Sequence, residues 1–204
     1  MTPLIPSTYF GPISYYVLLA NNDEVLLETK EHFVKQSYRN RAEIYGANGM
    51  LVLTVPLERK SREKTLITDL GIANDEAWQH HQWKSIAAAY RSSPYFEFYE
   101  HYFTPLFIEQ QTNLFDFNQQ LTTLLCKIIG INCKITPTTD FVKTTDEDYR
   151  YVFTPKKESP IKLTRYIQVF EDRYGFIPNL SILDLLFNKG PETLGYLKAH
   201  KISL

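Results

Sequence analysis

Ten aromatic rings fall between Tyr90 and Phe117, and they sit in a stretch whose apolar residues recur every three or four positions. Trp83, Ile86, Ala87 and Tyr90 make one stripe, and Tyr95, Phe98, Tyr99, Tyr102 and Phe103 make a second. Leu114, Phe117, Leu121, Leu124, Leu125 and Ile128 make a third. That spacing predicts amphipathic helices that must bury one face against another layer. Aromatic rings supply large apolar area, but each phenolic hydroxyl needs a polar partner, so the tyrosines are expected at the edge of the core. Local signals divide the stretch. Asp75 is expected to cap the first helix, and Ser93-Pro94 to restart the chain with proline in a first-turn position. Pro105 is expected to kink or end the second helix. Asn113, with Asp116 three residues on, opens the third, and Gly130 closes it.

Residues 1–72 carry a different pattern. Thr2–Ile5 and Val25–Leu27 read as strands, with the apolar run Ile13–Ala20 between them as a short buried helix. Met50–Val55 is a stronger strand, opened by Asn48-Gly49 and stopped by Pro56. The Asn-Gly pair predicts a hairpin with Ala42–Tyr45 as partner. Strand, helix, strand favours a small α/β layer. Glu58–Lys64 alternates in sign and reads as a solvated loop. Ile131–Ile135 is a further strand. Residues 136–160, with three prolines, many threonines and Asp146-Glu147-Asp148, form the expected mobile loop or lid. Ser181–Asp184 resembles a capping box and Gly190-Pro191 separates two final short helices. The expected fold is α/β, a small mixed sheet with flanking helices and a helical C-terminal half. One domain over residues 1–204 is expected, sheet-rich over 1–72 and mainly helical over 73–204.

Charge and composition exclude several functions. The net charge is −1, with 22 basic and 23 acidic residues, whereas extended nucleic-acid binding calls for a basic excess that neutralises phosphates. Cys126 and Cys133 form no CxxC pair and have no metal-ligand spacing, so both are expected as reduced, buried thiols. No metal or cofactor is expected. The first ten residues lack the basic-then-apolar pattern of a signal peptide, and no apolar run reaches the roughly 18 residues needed to span a bilayer. A cytoplasmic location without membrane insertion is expected, with the oligomeric state left open. There is no phosphate loop, no GxGxxG after the first strand, no GxSxG elbow, no HExxH and no DxD pair.

Four segments carry a resemblance. They are Tyr9–Tyr16; Phe33–Arg41 with Leu53-Thr54-Val55-Pro56; Trp83–Ile86, Ala89-Tyr90 and Ser93–Tyr99; and Gln168–Phe170, Gly175–Phe187 and Gly190-Pro191. In order and spacing they resemble the WbqC-like protein family. The resemblance implies a role in surface-polysaccharide (O-antigen) synthesis, with a glycine- or acyl-transferase activity suggested, and it brings no set of catalytic residues. It also implies a histidine before Trp83, where this chain has Gln82 preceded by His80 and His81.

The candidate site residues are weighed beside that resemblance. Lys35, Arg39 and Arg41 cluster. On a strand, Arg39 and Arg41 would share one face, where two planar guanidiniums can clamp a phosphate or carboxylate. Alternatively they are surface arginines that bond acidic loops. His81 is a candidate general base, although His80 and His81 diverge by about 100° on a helix and cannot readily share a metal. Asp184 is either an active-site acid or a residue that bonds back to the helix start, and Asn179 shares that ambiguity. Tyr15, Tyr16, Tyr90 and Lys84 are cleft candidates. The expected function is a metal-independent transferase acting on an activated sugar or an acyl or aminoacyl derivative. The alternative is a non-catalytic binding or scaffold protein that recognises a glycan or protein through an aromatic surface.

Overall fold

The computed structural model describes residues 2–59 and 64–202. The basic end of the predicted Glu58–Lys64 loop therefore lies largely outside the described residues. The fold is α/β, with two small sheets and a helical C-terminal half. β1 (Leu4–Ile5), α1 (Ile13–Ala20) and β2 (Glu24–Leu27) form a strand–helix–strand unit in which Leu4 pairs with Leu26 and Ile5 with Leu27 in parallel. α1 has the predicted bounds and is buried from Ile13 to Leu19 because every turn carries apolar side chains. β3 (Arg41–Gly46) and β4 (Gly49–Thr54) form a separate antiparallel hairpin in which Ala42 faces Leu53 and Tyr45 faces Met50. Gly49 alone takes a left-handed φ, +96°, at its turn. This is the signature of a type I turn closed by a left-handed glycine, a conformation costly for side chains with a Cβ.

α2 (Trp78–Tyr90), α3 (Phe96–Ile108) and α4 (Leu114–Ile129) follow. α4 matches its sequence signals. The Asn113 side chain accepts from the Asp116 N–H at 3.0 Å, and Gly130 ends the helix at φ +83°. Three boundary expectations are corrected. Ala77, not Asp75, precedes α2. Pro94 lies before α3, whose N-cap is Tyr95. α3 runs past Pro105 to Ile108, because a proline one turn from the end costs little when the remaining turn is short. β5 (Lys134–Pro137) begins three residues later and ends two residues later than predicted, and adds to β2 in parallel, giving the order β1-β2-β5.

The segment after β5 is irregular but firmly attached. Leu4 N–H donates to Glu147 C=O and Tyr149 N–H donates to Leu4 C=O, both at 2.8 Å, so its centre runs beside β1. Tyr149, Arg150 and Phe153 are buried. A freely opening lid does not describe these residues. α5 (Glu171–Tyr174), α6 (Ile182–Lys189) and α7 (Thr193–Lys198) complete the chain, with a single 3-10 turn at Gly190–Glu192 between the last two.

Five of the ten clustered rings, those of Tyr90, Phe96, Phe103, Phe107 and Phe117, are buried in the hydrophobic core. The segment Ser7–Pro12 threads through this core without regular structure. Phe10 takes φ +44°, and a Cβ at Gly11 would lie 2.6 Å from Thr8 Oγ1, so only glycine fits there. Cys126 is buried and Cys133 only partly so, which corrects the expectation of two buried thiols. No helix among the described residues is long and apolar enough to cross a membrane.

Candidate functional site

The family-like segments converge, and most of their contacts are internal. Tyr9 N–H donates to Tyr38 C=O at 2.8 Å, and the Tyr9 hydroxyl donates to Gln82 Oε1 at 2.6 Å. Gln82 Nε2 in turn donates to Thr54 C=O at 2.7 Å, tying α2 to the end of β4. Ile13 N–H donates to Leu180 C=O and Ser181 N–H to Glu43 C=O. The position where the resemblance implied histidine thus holds an amide that accepts from one segment and donates to another.

The stretch that leads into β3 is a part of these segments that opens onto hollows at the surface. Lys35 and Gln36 make a tight turn, with Gln36 at φ +56°, and Ser37 Oγ donates to Val34 C=O at 2.6 Å. Asn40 is fixed twice to Val55. Val55 N–H donates to Asn40 C=O at 2.9 Å, and Asn40 Nδ2 donates to Val55 C=O at 3.0 Å. Hollows lie on both sides of Lys35-Gln36. One, of about 420 Å³, is bounded by Phe33, Lys35, Gln36, Asn40, Arg41 and the Thr54–Leu57 stretch. The other, of about 210 Å³, is bounded by Lys35, Gln36, Arg39, Arg150, Tyr151 and the Lys156-Lys157 pair, among others. Only the first reaches the range of about 300–1,000 Å³ typical of small-molecule sites. A neighbouring hollow of about 470 Å³ shares Pro56 and Leu57, but its charged lining is Glu58, Asp75 and Glu76 against Arg59, a poor match for an anion.

Arg39 and Arg41 do not form the expected clamp. Arg39 precedes β3, so strand alternation does not govern it. Its side chain is 2% exposed and forks onto Glu31, with Nε on Oε1 at 2.8 Å and Nη2 on Oε2, and Nη2 also reaches Arg150 C=O at 3.3 Å. Burial pushes the Glu31 carboxyl up, and the bonds from Arg39 oppose that rise. Arg150 is equally buried, bonded to Glu28 Oε2 at 3.1 Å and Asp148 Oδ2 at 2.6 Å. Burial would raise the Asp148 carboxyl, but the bonds from Arg150 outweigh it and hold it below the usual range. Both guanidiniums lie 5.9 Å from the Tyr151 ring centroid. Arg39 and Arg150 are thus both paired internally with carboxylates. Arg41 lines the larger hollow instead, and its buried Nε has no partner among the described residues. Asn40 is 7% exposed and its Oδ1 likewise has none.

The remaining candidates lie elsewhere. Tyr15, Tyr16 and Tyr90 are core residues. The Tyr15 hydroxyl donates to Pro6 C=O at 3.2 Å, and the Tyr90 hydroxyl accepts from Tyr45 N–H at 3.1 Å. Burial drives the phenols of all three well above their ordinary value. Asn179 Oδ1 accepts from Ser14 N–H at 2.8 Å, so a residue 165 positions away satisfies the first turn of α1. His81 and Lys84 are exposed on α2.

Asp184 is fully buried. Its N–H bonds back to Ser181 C=O at 2.9 Å, but its side chain does not reach the Ser181 N–H, which goes to Glu43, while the Ser181 hydroxyl accepts from Leu183 N–H at 3.3 Å. Asp184 Oδ2 instead accepts from the Tyr166 hydroxyl at 2.5 Å and Gln168 Nε2 at 2.8 Å. Burial pushes its carboxyl up to about 6, against the lowering effect of those bonds. No group of three or more His, Cys, Asp or Glu residues is arranged to hold a metal among the described residues.

Sequence reading flagged Lys35 and Arg41 but passed over Gln36, Asn40 and Thr54. The signal was their place inside the Phe33–Arg41 and Leu53–Pro56 segments. Arg150 and Lys156-Lys157 had no such signal, because their proximity to Arg39 spans more than a hundred residues.

Comparison with known proteins gives the same outline. The family model described as the WbqC-like protein family matches residues 7–168, which includes every residue lining the two hollows. A Mycobacterium tuberculosis protein, the uncharacterized protein Rv1507c, is 27% identical over 223 residues, covering 96% of this chain and 96% of that protein. No solved structure matches.

Proposed function

We propose, from the premise that the chain belongs to the WbqC-like protein family, that the hollow beside Arg41 binds the anionic end of an activated small molecule. The observation that carries this reading is Arg41, which lines a hollow of about 420 Å³ and whose buried Nε has no partner among the described residues. A buried donor left unpaired is costly, on the order of 1–3 kcal/mol, so a ligand oxygen there regains that cost. Lys35 lines the same hollow and adds positive charge. A phosphate or carboxylate suits both, because charge-assisted bonds from Arg and Lys are stronger than neutral ones.

The finer reading is a transferase that acts on an activated sugar, or on an acyl or aminoacyl derivative, in surface-polysaccharide synthesis. Its support is the family resemblance together with the anion-suited hollow. Lys35 and Arg41 hold the charged part and Phe33 offers a flat apolar wall. Thermal unfolding with nucleotide-sugars, coenzyme A derivatives and aminoacyl donors tests it. A ligand at a hundred times its Kd stabilises the folded state by about 2.7 kcal/mol, which reads out as a raised Tm. The expected result is a shift with at least one phosphate-bearing donor that Arg41→Ala abolishes. A shift unchanged in Arg41→Ala rejects the site.

A second reading rests on a separate observation. Met50, Leu51 and Val52 on the outer strand of the hairpin, and Phe98 and Tyr102 on α3, are exposed apolar residues, the kind of surface by which a non-catalytic protein recognises a partner. Failure of every small donor to shift Tm, with a partner bound through these residues, favours it.

A further inference from the structure

We infer that the ligand of the Arg41 hollow carries a hydroxyl next to its anionic group, as the sugar-phosphate end of an activated sugar does, and that Asn40 reads this hydroxyl. The inference rests on the anion reading above and adds the substrate class. Its basis is a pair of unmet atoms of opposite character on adjacent residues. Among the described residues, Arg41 Nε is a donor without a partner and Asn40 Oδ1 an acceptor without one. Both residues line the same hollow.

The orientation of the Asn40 amide is fixed by its other end. Nδ2 donates to Val55 C=O at 3.0 Å, and flipping the amide would set oxygen against oxygen there. The unmet atom is therefore an acceptor, buried on a side chain that is 7% exposed and lines the hollow. A carboxylate, or a phosphate monoester in its dianionic form, supplies acceptors only. It satisfies Arg41 and leaves Asn40 Oδ1 facing a like partial charge. A ligand that meets both atoms accepts at one point and donates at a neighbouring one. The rest of the lining suits a ring that bears such groups. Phe33, Val55, Pro56 and Leu57 are apolar and can pack against the C–H face of a sugar, while Gln36 and Thr54 are polar. Gln36 adopts its left-handed φ of +56° at this same rim, and a strained residue of this kind is characteristic of a binding loop.

Isothermal titration with three probes decides the matter: glucose 1-phosphate, cyclohexyl phosphate (a ring of the same size without hydroxyls) and inorganic phosphate. Each is titrated into the unsubstituted protein, Asn40→Ala and Arg41→Ala, with circular dichroism confirming that the variants fold. Glucose 1-phosphate is expected to bind about tenfold tighter than cyclohexyl phosphate, the scale of one hydrogen bond to an otherwise unpaired buried group. Asn40→Ala is expected to shrink that ratio to about twofold or less. Arg41→Ala is expected to weaken all three probes together. Equal affinity of the two ring phosphates for the unsubstituted protein, or a ratio that survives in Asn40→Ala, overturns the hydroxyl inference. If affinities are equal but all fall in Arg41→Ala, the anion reading stands without it. If no probe binds, or if Arg41→Ala binds all three as well as the unsubstituted protein, both fail. Asn40→Ala also removes the bond to Val55. Should it not fold, the ratio of glucose 1-phosphate to cyclohexyl phosphate affinity in the unsubstituted protein still upholds or overturns the hydroxyl inference.

Discussion

Two arginines separated by one residue have opposite surroundings. Arg39 sits where the Glu28, Glu31 and Asp148 carboxylates meet two guanidiniums, and its fork is filled by Glu31. Arg41, at the mouth of the hairpin, borders a hollow and keeps an unpartnered Nε. Burying a charge is tolerable only when it is matched, so the first arrangement is complete without a ligand. The second becomes complete when a ligand arrives. A basic residue in a family-like segment thus says little by itself, and the difference lies in what is left over after internal partners are counted.

The contrast can be broken most forcefully at Arg39. Removing one partner of a buried ion pair leaves the other uncompensated, so Arg39→Met should cost about 3–5 kcal/mol in urea unfolding. Glu31→Gln should cost a similar amount because it leaves Arg39 buried against a neutral amide. A loss below about 1 kcal/mol for both would show that this network is solvated and that the two arginines are alike after all.

Asp184 sharpens the comparison from another side, as a buried carboxylate held by neutral hydrogen-bond donors, with no cation partner among the described residues. Its carboxyl titrates near 6 when folded against an ordinary 3.8, so the folded state holds its proton more tightly than the unfolded state. The stability linked to it is fully present below about pH 4 and lost as the pH climbs through about 6, on the order of 3 kcal/mol in all. Asp184→Asn should therefore flatten the fall in Tm between pH 4 and 7 relative to the unsubstituted protein. Parallel profiles for the two proteins would show that Asp184 titrates normally.

Smaller effects follow at the hollow and then at the surface. Arg41→Ala should weaken phosphate binding about tenfold to a hundredfold by titration, which is about 1.4–2.7 kcal/mol. Its folding stability should hold or rise by about 1 kcal/mol, since an unpaired buried donor is removed and no partner among the described residues is lost. A large stability loss without a binding change would make Arg41 a second Arg39. His81→Ala and Lys84→Ala, on the exposed face of α2, should leave both phosphate affinity and unfolding within about 0.5 kcal/mol of the parent. A marked binding loss in either would extend the site to that helix.

The legible parts of the fold are those whose signals are local. Asn113 capping Asp116 N–H, Gly130 in the left-handed region and Gly49 at the hairpin turn each depend on neighbours within about four residues. The same is true of the α1 bounds and the Ser181 cap. The site was legible only in part. Lys35 and Arg41 were marked by charge and by the segment they occupy, but a clamp of Arg39 with Arg41 assumed a strand that begins only at Arg41.

Sequence by itself settled the types of most elements, the partner strands of the hairpin and the family to which the chain belongs, because periodicity, turn chemistry and segment order are properties of near neighbours along the chain. Tertiary structure alone decided which polar groups were already satisfied. Glu31 claims Arg39, while Arg150 spans 122 positions to Glu28 and Asn179 reaches 165 positions back to Ser14. Hydrogen bonds and ion pairs act over a few ångströms regardless of separation in sequence. The atoms left without partners, which mark where a ligand would bind, emerge only once the chain has folded.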